Sequence, residues 1–179
     1  MTAVLSPRAA PSTPQRRSLR DTLTRVARAA TTPLVPADYL DLIAPMRSGA
    51  DLRGRVLSVT AETRDAATVR IKPGRGWRGH VPGQYIRIGV DVNGVRNWRA
   101  YSLTSLVGDP DGAVAITVKA IDGGKVSNHV VRELVPGTMI HLDQATGEFT
   151  LPAPAPRKAL FLTAGSGITP VMGMLRNHL

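Results

Sequence analysis

The chain has 179 residues, with 42% hydrophobic but only 4% aromatic side chains, so one domain, or one domain plus pieces, must build its core on Val, Leu, Ile and Ala. Its formal net charge of +10 favours an anionic partner: nucleic acid, a phosphorylated cofactor, an acidic protein or an anionic membrane surface. It has no cysteine, which excludes disulfides, thiolate catalysis, iron–sulfur ligation and Cys-type zinc sites within these residues, and no apolar run reaches the roughly 18 residues of a membrane span.

Residues 1–18, rich in Ala, Pro, Ser, Thr and Arg, read as a disordered basic tail. "RRSLR" at 16–20 glances at a twin-arginine signal, but no apolar h-region follows it. Residues 19–48 read as a helical segment. Its first part, "LRDTLTRVARAA", sets Leu19, Leu23, Val26, Ala27 and Ala30 on one face of a basic amphipathic helix, which would dock on the body or rest on a membrane surface. "PADYLDLIAPM" adds a short helix that ends before Pro45. The expected location is cytoplasmic, with membrane association through that basic helix as the variant.

From residue 50 to 152 the pattern is β. Strands are expected in "LRGRVLSVTAET", "AATVRIKP", "GQYIRIGVDV", the run after Asn93-Gly94, "GAVAITVKAI", "GTMIHLD" and "GEFTLP". Asn93-Gly94 between two of them is a hairpin signal. "GKVSNHVVREL" turns helical, with Ser127 as the expected N-cap and Val130, Val131 and Leu134 on its apolar face. The fold class that follows is mainly β: a small antiparallel six-stranded Greek-key barrel with one helix, preceded by N-terminal helices. The Pro-rich "PAPAPRK" then separates it from residues 158–179, an apolar strand, a Gly-Ser-Gly turn and a helix start. That reads as the first βα unit of a truncated α/β nucleotide-binding domain, because one strand and one helix cannot cover a parallel sheet.

Three stretches carry chemistry. In "NWRAYSLTSL", Arg99 and Tyr101 stand two apart, so on a strand a cation and an aromatic ring share a face, with Ser102 just beyond. In "GGKVSNHV" a glycine pair leads into a helix whose free N–H groups and dipole suit a phosphate, although a plain cap has the same sequence. "TAGSGITP" is a partial dinucleotide fingerprint, with Pro170 where the full one has glycine. His80, His129, His141 and His178 lack metal-ligand spacing, so no metal site is expected. "GRGWRGH", at 74–80, mimics an Arg-Gly-aromatic nucleic-acid segment but reads as a loop.

Order and spacing join these stretches. The chain resembles the ferredoxin–NADP reductase superfamily of flavoprotein reductases. Its flavin motif matches Arg99-Ala100-Tyr101-Ser102, its phosphate motif Gly124-Lys125-Val126-Ser127, its upstream strand Pro82-Gly83-Gln84-Tyr85, and its nucleotide-domain opening Gly165 to Pro170. The resemblance implies that Tyr101 packs on the flavin ring, Ser102 hydrogen-bonds near the flavin N5 and Arg99 neutralises the pyrophosphate. It further implies that backbone at Val118 and Lys119 lines the cofactor, and that Gly124, Val126 and Ser127 hold the pyrophosphate. Thr169 would lie near both flavin and nicotinamide, with Gly165 and Gly167 admitting the nucleotide's phosphates. Ser102, Tyr101 and Thr169 are thus the expected catalytic residues.

By the same resemblance the cofactor is FAD rather than FMN, and the intact enzyme passes hydride from NAD(P)H to FAD. Single electrons would then leave for an iron–sulfur centre serving an oxygenase or lipid desaturase, with a 2Fe–2S cluster only if a ferredoxin domain lies beyond these residues. No nucleic-acid partner is expected. The rival readings are a basic β-barrel that binds nucleic acid and a flavin-free interaction module.

Overall fold

The computed structural model describes residues 44, 46–47 and 51–178. The tail expected over 1–18 and the helices expected within 19–48 lie outside the described residues, apart from a turn in which the Arg47 N–H donates to the Ala44 carbonyl at 2.9 Å.

Six strands form one sheet: β1 (Arg53–Ala61), β2 (Ala66–Pro73), β3 (Tyr85–Val92), β4 (Val95–Ser102), β5 (Val114–Lys119) and β6 (Met139–Leu142). Their spatial order is β4-β3-β6-β1-β2-β5, and every neighbouring pair runs antiparallel. An antiparallel bridge between Leu103 and Ile116 joins the two ends of that order. The Thr104 N–H donates to the Ala115 carbonyl beside it at 2.8 Å. Helix α1 (Lys125–Arg132) lies between β5 and β6, and α2 (Ile168–His178) follows a 3₁₀ turn at Gly165–Gly167.

Alternation explains the core. Val69 and Ile71 of β2, Ile86, Ile88 and Val90 of β3, and Val114, Ile116 and Val118 of β5 all point inward. Helix α1 adds Val126 and Val130, and Leu134 just beyond it joins them. Each fully buried aliphatic side chain of this kind contributes about 1.5–3 kcal/mol, so an aromatic-poor sequence can still hold a barrel. Gly54 leaves room for this packing: a Cβ there would lie 2.6 Å from Ile71 Cγ2 and 2.7 Å from Leu142 Cδ1. The β3–β4 turn has Asn93 at φ 52° and Gly94 at φ 76°, the primed geometry whose twist matches the strands. Val92 and Val95 pair across it.

Three local expectations change. Helix α1 starts one turn earlier than a Ser127 cap requires, with Gly124 as its N-cap and Ser127 inside its first turn. A side chain at Gly124 would run into Ile121 Cγ1 and the Ser127 hydroxyl, which fills the capping space from within the helix. "GEFTLP" contributes one bridge, Thr146 to Tyr85, and then leaves the sheet. The cause is Gly147, whose φ of 121° is incompatible with a continuing strand and brings its backbone against the Tyr85 ring. Residues 159–163 pair with no strand among the described residues, leaving Leu160 84% and Leu162 88% exposed, because a parallel ladder needs a neighbour.

Helix α2 nevertheless forms, seated on the segment after β4. Met174 is buried. Gly173 lies against the Leu103 carbonyl, close enough that a Cβ would collide with it. Arg176 Nη1 donates to the Thr104 carbonyl at 2.8 Å, and Asn177 Nδ2 to the Ser105 carbonyl at 3.0 Å.

Two glycines give a graded test of this packing. Gly79 (φ 88°) has nothing near a would-be Cβ, so Gly79→Ala meets backbone strain alone, about 1–2 kcal/mol. Gly83 (φ 99°) would in addition drive its Cβ onto the Phe149 carbonyl and Met174. Urea unfolding should therefore show Gly83→Ala losing roughly 3 kcal/mol or more, and equal losses at the two positions would contradict the packing described.

Across the outer face, Arg53, His141, Gly89 and Trp98 form one row over four strands. His141 is only 7% exposed and its Nδ1 has no hydrogen-bond partner. Burial lowers its pKa from the ordinary 6.5, with the Arg96 and Arg53 charges adding to the effect and Asp51 and Asp91 opposing it. The folded state thus holds this proton less readily than the unfolded chain. Stability is full above that ordinary value and falls as the pH drops below it. His141→Gln should reduce the stability lost between about pH 7.5 and about pH 5.5 in urea titrations, leaving the share of His80, which burial shifts the same way.

Candidate functional site

Register places the cation and the aromatic ring. Tyr101 stands opposite Ile86 and Arg99 opposite Ile88, so both side chains share the inward-pointing face of β3. Strand β4 ends the sheet order, so this face is open beyond the barrel interior. Tyr101 is half-buried against the core, and Arg99 remains exposed, its Nη1 donating to the Trp98 carbonyl at 2.7 Å.

Facing them across a cleft of about 590 Å³ is the loop from Ile121 to Gly124 and the first turn of α1. Arg99, Tyr101, Lys119, Gly124, Val126 and Ser127 all line it, so the structure gathers six of the residues singled out from the motifs. Val118 is buried in the core, and its neighbour Lys119 reaches the cleft. Ser102 pairs with Tyr85 on the opposite face of β4, outside the cleft lining. Gly165, Gly167 and Thr169 also lie outside that lining, at the start of α2, where Thr169 Oγ1 donates to the Ser166 carbonyl at 2.7 Å.

The cleft contains residues that motif reading passed over. Asn97 had a signal, the same two-residue period that links Arg99 and Tyr101. Ile121 and Asp122 had none, because an irregular loop has no period, whereas Gly123 belongs to the glycine pair already singled out. Ile121 is 62% exposed and provides an apolar wall.

Charge and hydrogen bonding suit an anion flanked by a ring. The N–H groups of Gly123, Lys125, Val126 and Ser127 have no hydrogen-bond acceptor among the described residues, as expected for a helix start. The Arg99, Lys119 and Lys125 cations stand around them, with Asp122 as the opposing charge; Lys119 Nζ also pairs with Asp65 at 3.3 Å. Burial raises the Tyr101 pKa above its ordinary value of 10.0, partly offset by Arg99, so the phenol keeps its proton at neutral pH. The arrangement offers a neutral aromatic face, donors for phosphate oxygens and an adjoining space of cofactor size.

The family model described as "Oxidoreductase FAD-binding domain" matches residues 53–151, the barrel and this cleft together. The chain belongs to that family. An NADPH oxidoreductase of Mycobacterium tuberculosis is 52% identical over 157 residues, covering 86% of this chain and 41% of the relative. The glycine betaine monooxygenase reductase subunit of Pseudomonas aeruginosa is 35% identical over 95 residues, covering 53% of this chain and 26% of the relative. Among solved structures, a cytochrome P450 reductase of Amycolatopsis superposes with a TM-score of 0.58 at 27% identity, over 70% of this chain and 38% of that one. The chain thus spans less than half the length of these relatives.

The residues present fit FAD by the chemistry of the donor set: a free row of N–H groups and an exposed guanidinium for the pyrophosphate, beside a half-buried phenol ring for the flavin. Within the described residues no helix is long and apolar enough to cross a membrane. The "GRGWRGH" stretch is a tied-down loop: the Gln144 amide donates to the Gly76 carbonyl at 2.8 Å and accepts the Arg78 N–H at 3.2 Å.

Proposed function

We propose that this chain is the flavin-holding part of an NAD(P)H-dependent reductase that feeds single electrons to an iron–sulfur acceptor serving an oxygenase or desaturase. The observation that carries the reading is the convergence of Arg99, Tyr101 and the unbonded N–H groups of α1 on one cleft. Relatives named as an NADPH oxidoreductase and as the reductase subunit of a monooxygenase support the electron donor and the class of partner.

FAD, when bound, supplies the hydride acceptor and the source of single electrons, so the protein's task is to bind, orient and tune. Tyr101 offers one face of a protonated ring, which stacks without adding charge. Arg99 keeps guanidinium N–H groups beyond the one spent on the Trp98 carbonyl, and a fixed planar cation suits a pyrophosphate. Lys125, Val126 and Ser127 present their backbone N–H groups along the helix dipole. Backbone beside Val118, together with Lys119 and Gly124, completes the wall.

Ser102, Gly165, Gly167 and Thr169 enter this proposal as the nicotinamide side of the site. Support comes from the seating of α2: its last turns grip Leu103 to Val107, the segment that directly follows Ser102. The loop ahead of α2 is therefore carried on a helix docked beside the flavin strand.

A visible absorption spectrum of the purified chain, with the bound flavin released by acid and identified, tests the cofactor; a folded, colourless chain that takes up no added FAD would refute the proposal. Tyr101→Ala should weaken FAD binding about ten-fold. Arg99→Ala should weaken it by roughly ten- to hundred-fold through lost charge-assisted hydrogen bonds. Both are measured by FAD titration, and unchanged flavin content in both variants would remove these residues from the site.

A further inference from the structure

An anion site made of backbone has a built-in difficulty, since every peptide that offers an N–H also carries a carbonyl that repels the anion. In the loop ahead of α1, two of those carbonyls are taken up from below. The Ile121 carbonyl accepts from the Gly124 N–H at 3.0 Å and from Asn128 Nδ2 at 2.8 Å. The Gly124 carbonyl accepts from Asn128 Nδ2 at 2.8 Å, from the Asn128 N–H at 3.0 Å and from the Ser127 hydroxyl at 3.2 Å. That hydroxyl in turn accepts the Ile121 N–H at 3.3 Å.

Asn128 is therefore the one side chain among the described residues that bonds both carbonyls. It does so from outside the cleft: it is absent from the lining shared by Arg99 and Tyr101, and borders a separate hollow on the hairpin side. A carboxamide suits the task, because its two N–H donors can serve two carbonyls without adding charge beside the phosphates. Lysine would add a cation, and aspartate has no donor to give.

We infer that Asn128 is a positioning residue for the flavin pyrophosphate: it holds the Ile121 and Gly124 carbonyls so that N–H groups, not carbonyl oxygens, face the cleft. The inference rests on the FAD reading and deepens it. Asn128 does not touch the cofactor. It acts through the loop, and the Ser127 hydroxyl works with it as a brace within the same loop.

The test compares FAD with riboflavin, which carries the ring and ribityl chain but no phosphate, on the full 179-residue chain and on Asn128→Ala and Asn128→Leu. Asn128→Leu keeps the branched outline of the side chain and removes the donors without adding charge, so it covers the case in which the alanine variant fails to fold. FAD affinity should fall about ten-fold or more in each variant. Riboflavin affinity, read by competition against FAD, should change less than about two-fold, since it makes no use of the phosphate loop. Parallel losses for both ligands would show that Asn128 only supports the fold, and an unchanged FAD affinity would show that the loop holds without it; either overturns the inference. A wild-type chain that takes up neither flavin overturns the flavin reading itself, and this inference with it, before any variant is compared.

Discussion

The register of the β3–β4 hairpin is the constraint on which the rest of the site depends. Side chains alternate strictly along a strand, so a slip of one residue would exchange the two faces of β4. Arg99 and Tyr101 would then join the outer row, and Trp98 and Ala100 would face the cleft. Asn93 and Gly94, both at positive φ, fix the two-residue turn that prevents such a slip. The packing agrees with the turn. Gly89 is a glycine because Trp98 and His141 occupy its outer side, where a Cβ would lie 3.0 Å from the indole and 3.1 Å from the His141 Cβ. One face of β4 is thus filled by an aromatic–histidine contact with ring centroids 6.2 Å apart, which leaves the other face for a ligand.

The second half of the site is backbone rather than side chain, and its precision comes from saturation. Peptide groups are strong donors and acceptors at once, so a loop suits an anion better when its acceptors are occupied elsewhere. Gly124 shows how the packing supports this. Its missing side chain admits Ile121 and the Ser127 hydroxyl, which draws the loop onto the first turn of α1. The same closeness displaces Ser127 from the role of N-cap, and the helix start is left with N–H groups that have no acceptor among the described residues.

Much of this was legible in the sequence where the signal was local. Alternation in "AATVRIKP" and "GQYIRIGVDV" became β2 and β3, and Asn93-Gly94 became the turn. The two-residue spacing of Arg99 and Tyr101 translated directly into a shared face. What was not legible depends on contacts between residues distant in the chain. Nothing in "GTMIHLD" says that β6 will lie between β3 and β1, nor that Leu103 will bridge to Ile116 and join the ends of the sheet order. Ser127 carries the sequence signature of a cap, and only the steric demand at Gly124 shows why the cap lies three residues earlier. "GEFTLP" has strand composition, but Gly147 turns it away after a single bridge.

The seating of α2 shows why the two motif regions are mechanically one. An isolated eleven-residue helix is marginal in water, and helices of this length owe most of their stability to the face they bury. The strand expected before α2 pairs with no neighbour among the described residues and does not supply that face. The barrel supplies it instead: Gly173 fits against the Leu103 carbonyl, Met174 is buried by Gly83, and the polar last turn satisfies the carbonyls of Thr104 and Ser105 and the N–H of Val107. The polar groups among these lie just past the bridge at Leu103, where the chain leaves the sheet. Helix and strand end therefore satisfy each other, so a displacement of α2 would unseat backbone immediately after Tyr101 and Ser102. That coupling ties the glycine loop at 165–167 to the end of β4 through the hydrogen bonds of Arg176 and Asn177.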